Sequence, residues 1–252
     1  MRIAIYTAIF GDKDELKEPL DFKSNNEIDY YLITDNKKAK TYIYKLLVKK
    51  AIYGDITKNA RFYKLNGLEE FKEYDYVIWH DGNLRIKHVF IKELVSYVAD
   101  SFLATFKHPD RKNFYQEAVA CVKLNKDFSF KILWQSLIYY LKGLPSNFNP
   151  QLYETCILVK KMPMYNETFY DLWWSQILKY SRRDQLSLPF VLFSMNTKIS
   201  TIPGCRYENI FSDFSPHKNN IYKQKLNLTV FNVKWVKNLS VKIIKYFERR
   251  RS

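Results

Sequence analysis

Residues 76–83 read Tyr76-Val77-Ile78-Trp79-His80-Asp81-Gly82-Asn83, an apolar run that stops abruptly at an acid, a glycine and an amide. A strand that only fills a core gains nothing from a carboxylate at its tip. Asp81 and Asn83 are two apart, so in extended backbone both side chains leave the same face. Gly82 between them lets the chain turn and a ligand approach closely. Two oxygen ligands at this spacing suit a hard divalent ion that keeps its other positions for water and phosphate oxygens. The same tripeptide is also ordinary turn chemistry, so its neighbours have to decide.

Working outward, residues 2–10 form a β-rich run broken by Gly11-Asp12, and residues 28–34 a strand ending at Thr34-Asp35-Asn36. A lysine-rich polar segment leads to the strand 74–79. Helical spacing then aligns Phe90, Ile91, Leu94, Val95 and Val98 within 88–99. A short strand at 102–106, helices near 113–123 and 129–142, a loop at 143–150, a strand at 153–159 and a helix at 167–180 follow. In that last helix Phe169, Trp173 and Ile177 share a face. Strands alternating with helices predict an α/β fold with a largely parallel central sheet, whose ligands sit outside the carboxyl ends of the strands. Thr7 with Asp12, Asp35, and Asp81 with Asn83 all mark such ends.

The 252 residues are 47% hydrophobic with 6 Gly and 8 Pro, enough to bury a sizeable core and unlike a disordered chain. We read one domain over 1–231 and a basic C-terminal helix over 232–252. Cys121, Cys156 and Cys205 are odd in number and far apart, which is neither a disulfide framework nor a zinc spacing. With no signal core and no membrane-length apolar run, the expected location is the cytoplasm, including the cytoplasmic face of the inner membrane. The net charge of +15 points to a polyanionic partner: nucleic acid, phospholipid or a phosphorylated substrate. The tail carries seven Lys/Arg against one Glu. Its Val236, Leu239, Ile243 and Phe247 fall on one predicted stripe, bordered by Trp235 and Tyr246, as in a helix lying on an anionic membrane surface. A helix packed on the domain is the alternative.

Other clusters are ambiguous one at a time. Arg61 and Lys64 share a face if helical and suit either a diphosphate or a solvated surface. Lys107, His108, Arg111 and Glu117 read as a functional loop or as local ion pairs. In Ser181-Arg182-Arg183-Asp184-Gln185, Ser181 and Asp184 fit a capping box, while the arginines also suit a sugar phosphate. His217 and Lys218 offer a third metal ligand and a phosphate contact.

The order of these blocks is more specific than any one of them. "YTAIFGDKDELKEP", "YYLITDN", "ARFYK", "EYDYVIWHDGNLRI", "KHPDRKNFYQEA", "GLP" and "WWSQILKYSRRDQLSLPFVL" together, over roughly residues 2–195, resemble a bacterial glycosyltransferase-domain family. That family is related to the plant Golgi galacturonosyltransferases that build rhamnogalacturonan. The resemblance implies a GT-A type nucleotide-sugar-binding sandwich. Asp81 and Asn83 occupy its metal motif, Asn standing in place of a second acid, and His217 joins them by fold analogy, holding Mn²⁺ or Mg²⁺. Thr7, Asp35, Arg61, Lys64, Arg183, Gln185 and Lys218 fall on the donor side, and Asp184, then Glu117, are the catalytic candidates. It further implies a hexosyl- or glycuronosyltransferase using a nucleotide-sugar donor, UDP-linked. The acceptor would be a saccharide or lipid-linked saccharide in bacterial surface polysaccharide, capsule or lipopolysaccharide synthesis. The rival from another class is a non-catalytic nucleic-acid-binding protein, favoured by the charge and the 17% aromatic content. No nucleic-acid motif accompanies them, so the expected partners exclude nucleic acid.

Overall fold

A computed structural model describes residues 1–11, 13–147, 152–216 and 234–251. Two compact units make up the chain. The first is built from Met1–Lys107, Glu154–Tyr170 and the stretch beginning at Ile199; the second from His108–Tyr153, Asp171–Lys198 and the C-terminal helix.

A seven-stranded sheet dominates the first unit. Its strands are β1 (Ile3–Ile9), β2 (Ile28–Thr34), β3 (Lys45–Val48), β4 (Tyr76–His80), β6 (Leu103–Lys107), β7 (Tyr153–Lys161) and β8 (Ser200–Ile202), in the order β3-β2-β1-β4-β7-β6-β8. A separate two-stranded ribbon joins β5 (Leu84–Ile86) to β9 (Ser212–Phe214). β1 runs parallel to both β2 and β4, β2 to β3, and β6 to β8, while β7 is antiparallel to β4. The fold is therefore the expected α/β architecture with a mostly parallel central sheet, consistent with a GT-A type domain. All seven residues of β1 are buried, which is why its sequence is a continuous apolar run rather than an alternating one.

Register places the functional edge. Ile9 pairs with Thr34 and Tyr6 with Trp79, so β1, β2 and β4 finish on one side of the sheet. Helix α1 (Ile56–Asn66) is capped at its N-terminus and held to the sheet at its C-terminus. Its N-cap Asp55 accepts from the Thr57 N–H at 2.8 Å. At its C-terminus, where carbonyls lack helical partners, the Tyr6 hydroxyl lies 3.0 Å from the Tyr63 carbonyl and 2.9 Å from that of Lys64. The Lys160 ammonium, reaching from β7, donates to the Lys64 and Leu65 carbonyls at 2.7 and 2.9 Å. Burial, helped by the neighbouring Lys64 charge, lowers the Lys160 pKa to about 7. Helix α2 (Ile91–Ser96), preceded by a 3-10 turn at His88–Phe90, is shorter than the predicted 88–99 and contributes Ile91, Leu94 and Val95 to the core.

The second unit contains α3 (Phe114–Lys123), α4 (Ser129–Leu141), most of α5 (Glu167–Lys179), α6 (Asp184–Ser194) and α7 (Lys234–Arg250). On α5, Phe169, Trp173 and Ile177 are fully buried, as their spacing predicts. A second core joins Phe114, Tyr115 and Val122 to Ile132, Tyr139, Leu186, Phe190, Ile244 and Phe247. The C-terminal helix is thus a helix, and it is built into this core. Its buried line is Ser240, Ile244 and Phe247. The predicted stripe shares only Phe247 with that line, and Leu239 is 47% exposed. Ser240 is why the pattern misled: a small polar residue is fully buried there, where hydrophobicity gives no signal. The three cysteines are free thiols.

Candidate functional site

The tip of β4 is a turn rather than extended chain. The Asp81 N–H donates to the Cys156 carbonyl at 2.8 Å, and the Leu84 N–H closes onto the Asp81 carbonyl at 2.9 Å. Gly82 is required there: a β-carbon would come within 2.9 Å of the Ile9 side chain and 3.6 Å of Asp14 Cβ. Because the backbone turns, the same-face argument for Asp81 and Asn83 does not apply. Asn83 is buried and its amide nitrogen donates to the Ser215 carbonyl at 2.9 Å, which makes it a brace between two loops.

Asp81 carries the charge chemistry. Three donors converge on its Oδ1: the Trp79 indole N–H at 3.0 Å, and Arg61 and Lys64 at 3.4 Å each. Burial alone would raise this carboxyl's pKa, but Lys64, then Arg61 and the indole N–H, outweigh it and hold the group well below the usual carboxylate range. Asp81 is therefore ionised. Its side chain keeps 20% of its surface exposed, whereas Lys64 keeps none and Arg61 9%. His80, beside it, donates from Nδ1 to the Asp81 carbonyl (3.2 Å), so its Nε2 accepts from the Tyr44 hydroxyl (3.2 Å). Burial lowers its pKa to about 4, against that carbonyl bond, and the ring is neutral at pH 7.

A cavity of about 680 Å³ opens at the same sheet edge, lined by Ile9, Leu32, Thr34, Asn36, Lys38 and Lys40, with Asp14 and Glu15 on the following loop. That volume lies within the range of small-molecule sites. The contact of Gly82 with Ile9 and Asp14 makes the β4 tip a neighbour of this lining. The loop after β2 is pre-set by its own turn: the Asn36 N–H donates to Thr34 Oγ1 at 3.1 Å, and the Lys38 N–H to Asn36 Oδ1 at 2.9 Å. Asp35 accepts from the Gly11 N–H at 3.2 Å and so ties the two loops together. Thr7 is fully buried within β1, closed to any ligand in this state. Lys38 and Lys40 escaped the residue-by-residue reading. Their signal was position, a lysine-rich run immediately after a strand end.

The second unit gathers a different set. Glu117 is 2% exposed and bonded by the Arg111 guanidinium at Oε2 and by the Cys121 thiol (3.2 Å) at Oε1. The charges of Glu117 and Arg183 both act on the Cys121 thiol, which burial pushes well up. Local ion pairing, the plainer reading of the 107–117 loop, is what Arg111 and Glu117 do. Ser181 is not the predicted cap: its hydroxyl donates to Asp127 at 2.8 Å, and the cap position of α6 belongs to Arg183. Asp184, the first residue of α6, is fully buried, and its carbonyl accepts from the Trp173 indole at 3.0 Å. Gln185 is 8% exposed. His217 and Lys218 lie outside the described residues.

Donor chemistry tests the metal assignment. Among the described residues no three His, Cys, Asp or Glu side chains cluster as a metal cage. A magnesium- or manganese-type ion needs less than a cage, since one or two carboxylates and substrate phosphates suffice. Asp81 fits that need, being ionised, partly exposed and with none of its three donors on Oδ2. Asn83 is buried and its Nδ2 is engaged by the Ser215 carbonyl, whereas the atom it would offer a metal is Oδ1.

No curated protein matches the chain. Residues 1–217 match the family described as "TOD1/MUCI70, glycosyltransferase-like domain", reaching past the last of the sequence blocks that suggested a transferase. With the match covering the whole strand-tip site, the chain belongs to the TOD1/MUCI70 glycosyltransferase-like domain family.

Proposed function

We propose that the protein transfers a sugar from a nucleotide-diphosphate donor, UDP-linked, to a saccharide or lipid-linked saccharide in the synthesis of a bacterial surface polysaccharide or lipopolysaccharide. One juxtaposition carries this reading. A carboxylate held ionised by two buried cations stands at the β4 tip, next to a cavity with Lys38 and Lys40 on its lining, in a chain of glycosyltransferase-like family. The nucleic-acid alternative has the net charge and the aromatic content in its favour and no recognised motif.

In the proposed reaction an acceptor hydroxyl oxygen attacks the anomeric carbon, the bond from that carbon to the phosphate oxygen breaks, and the diphosphate leaves with the bonding pair. Lys38 and Lys40 are assigned to the diphosphate, where point charges on flexible stems suit phosphate oxygens. Arg61 and Lys64 set the field at the tip and keep Asp81 ionised and oriented. A divalent ion, Mn²⁺ or Mg²⁺, bound by Asp81 and the donor phosphates, would supply further neutralisation of the departing charge. The acceptor proton is assigned to Asp184, with Glu117 second, on the family resemblance. Both are buried in the second unit.

The test is turnover. The full chain is incubated with a panel of UDP-sugars and candidate saccharide acceptors, and released UDP is measured. Donor-dependent UDP release that falls about tenfold or more in Lys38→Glu/Lys40→Glu supports the assignment. No release from any nucleotide sugar, with or without Mn²⁺, rejects it.

A further inference from the structure

We propose that the outward faces of α4 and α7 together form a docking surface for anionic phospholipid, a role independent of the transferase reading. Both helices insert one face into the same core: Ile132 and Tyr139 from α4, Ile244 and Phe247 from α7. They also hold each other. The Tyr140 and Phe247 rings stack at 4.6 Å, and the Arg251 guanidinium donates to the Tyr140 carbonyl at 2.6 Å.

The opposite faces are where the chemistry is unusual. On α7, Trp235, Leu239 and Tyr246 are 68%, 47% and 50% exposed, and their spacing of four and seven residues puts them on one side of the helix. On α4, Phe130, Trp134 and Leu141 repeat the same spacing at 58%, 48% and 65% exposed. Six large apolar side chains on two touching helices form a feature that soluble surfaces seldom carry without a partner.

Charge selects the partner. Lys131 and Lys142 flank the α4 face, and Lys242, Lys245, Arg249 and Arg250 are exposed along α7. The two helices contain a single acid, Glu248, and it is turned inward to accept from Asn113 and Gln116 at 3.0 Å each. A second copy of the chain would oppose these cations with its own. A nucleic acid would take the lysines and leave Leu141, Leu239 and Phe130 unsatisfied. An anionic bilayer satisfies both sets, headgroups meeting Lys and Arg while Trp, Tyr, Phe and Leu enter the boundary with the acyl chains. No helix among the described residues is long and apolar enough to cross a membrane, so the contact is interfacial. The family match ends at residue 217, before α7.

Removing the tail cannot test this, because Ile244 and Phe247 leave the core with it. The experiment uses the full chain and three sets of surface variants in co-sedimentation with phosphatidylserine-containing and pure phosphatidylcholine vesicles at low salt. The sets are Trp235→Ser/Leu239→Ser/Tyr246→Ser, Phe130→Ser/Trp134→Ser/Leu141→Ser, and Lys242→Glu/Lys245→Glu/Arg249→Glu. Each basic residue near an anionic surface is worth about fivefold in partitioning, so the charge set is expected to weaken binding at least about 100-fold. Each apolar set is expected to weaken it at least about tenfold, with thermal midpoints unchanged. The charge set keeps the test decisive should an apolar set misfold. Absence of wild-type binding to anionic vesicles, or wild-type binding by the charge set, overturns the proposal. Undiminished binding by a folded α4 set overturns the shared surface. A wild-type dimer that these variants dissociate, without vesicle binding, assigns the face to self-association instead.

Discussion

Asp81 in the first unit and Glu117 in the second are both carboxylates held by arginine, yet their surroundings differ in one decisive respect. Glu117 is closed: 2% exposed, with Arg111 on one oxygen and Cys121 on the other. Asp81 takes all three of its donors on one oxygen, keeps a fifth of its side-chain surface open and stands beside a cavity. The same pairing of charges is closed off in one place and presents a charge in the other. Exposure of the side chain separates them.

The strongest way to break this comparison is to remove the open carboxylate. Asp81→Ala takes an anionic partner away from the largely buried Arg61 and Lys64, so it is expected to lower stability by about 3 kcal/mol as well as abolish most turnover. Urea unfolding and UDP release measure the two effects. A strand-tip residue that mattered only to a ligand would leave the urea midpoint unchanged. Pairing Asp81→Ala with Lys64→Met should recover part of the stability and none of the turnover.

Acid sharpens the contrast further. His80 has a folded pKa below its unfolded value, so the unfolded chain binds more protons as pH falls below about 6.5. Stability is complete above that pH and declines from about 6.5 toward 4 by roughly 3 kcal/mol. Asp81, also depressed, adds a second decline below about 3.9, where the unfolded carboxyl protonates. His80→Gln should remove the first decline, as followed by thermal midpoint against pH.

In the second unit, Asp184→Asn preserves shape and removes the capacity to take a proton. As the acceptor base it should lose about 100-fold in turnover with little change in thermal midpoint. Near-normal turnover would make Asp184 structural or a binding contact and turn the same test to Glu117. The smallest effect belongs to the cavity rim. Lys38→Ala and Lys40→Ala are each expected to raise the donor KM several-fold without altering stability, because both side chains are exposed.

Much of the fold was legible because burial on both faces writes continuous apolar runs. The strand predicted at 28–34 matches β2 residue for residue, and the α5 face was read correctly. Strands β3, β5, β8 and β9, three or four residues long, are too short to show a period. The antiparallel direction of β7 leaves no mark on its own sequence. At the site, the polarity of the strand tips was readable and the burial of Lys64 was not, since a lysine becomes fully buried only through tertiary contacts. Ser181 resembles a cap by spacing, but Asp127, 54 positions away, claims its hydroxyl. On α7 the pattern was two-sided, and only the packing of Ser240 and Ile244 shows which side the core takes.

The central claim is that the open carboxylate and its cavity receive a nucleotide diphosphate. Isothermal titration of the full chain with UDP and UDP-sugars, for wild type and for Asp81→Asn/Lys38→Glu/Lys40→Glu, tests it most directly. Wild type is expected to show saturable one-site binding, with a thermal stabilisation of about 2.7 kcal/mol at 100 times Kd, and the folded triple variant an affinity at least about tenfold weaker. Absence of binding by every nucleotide tried, with and without Mn²⁺, or equal binding by the two proteins, would contradict it.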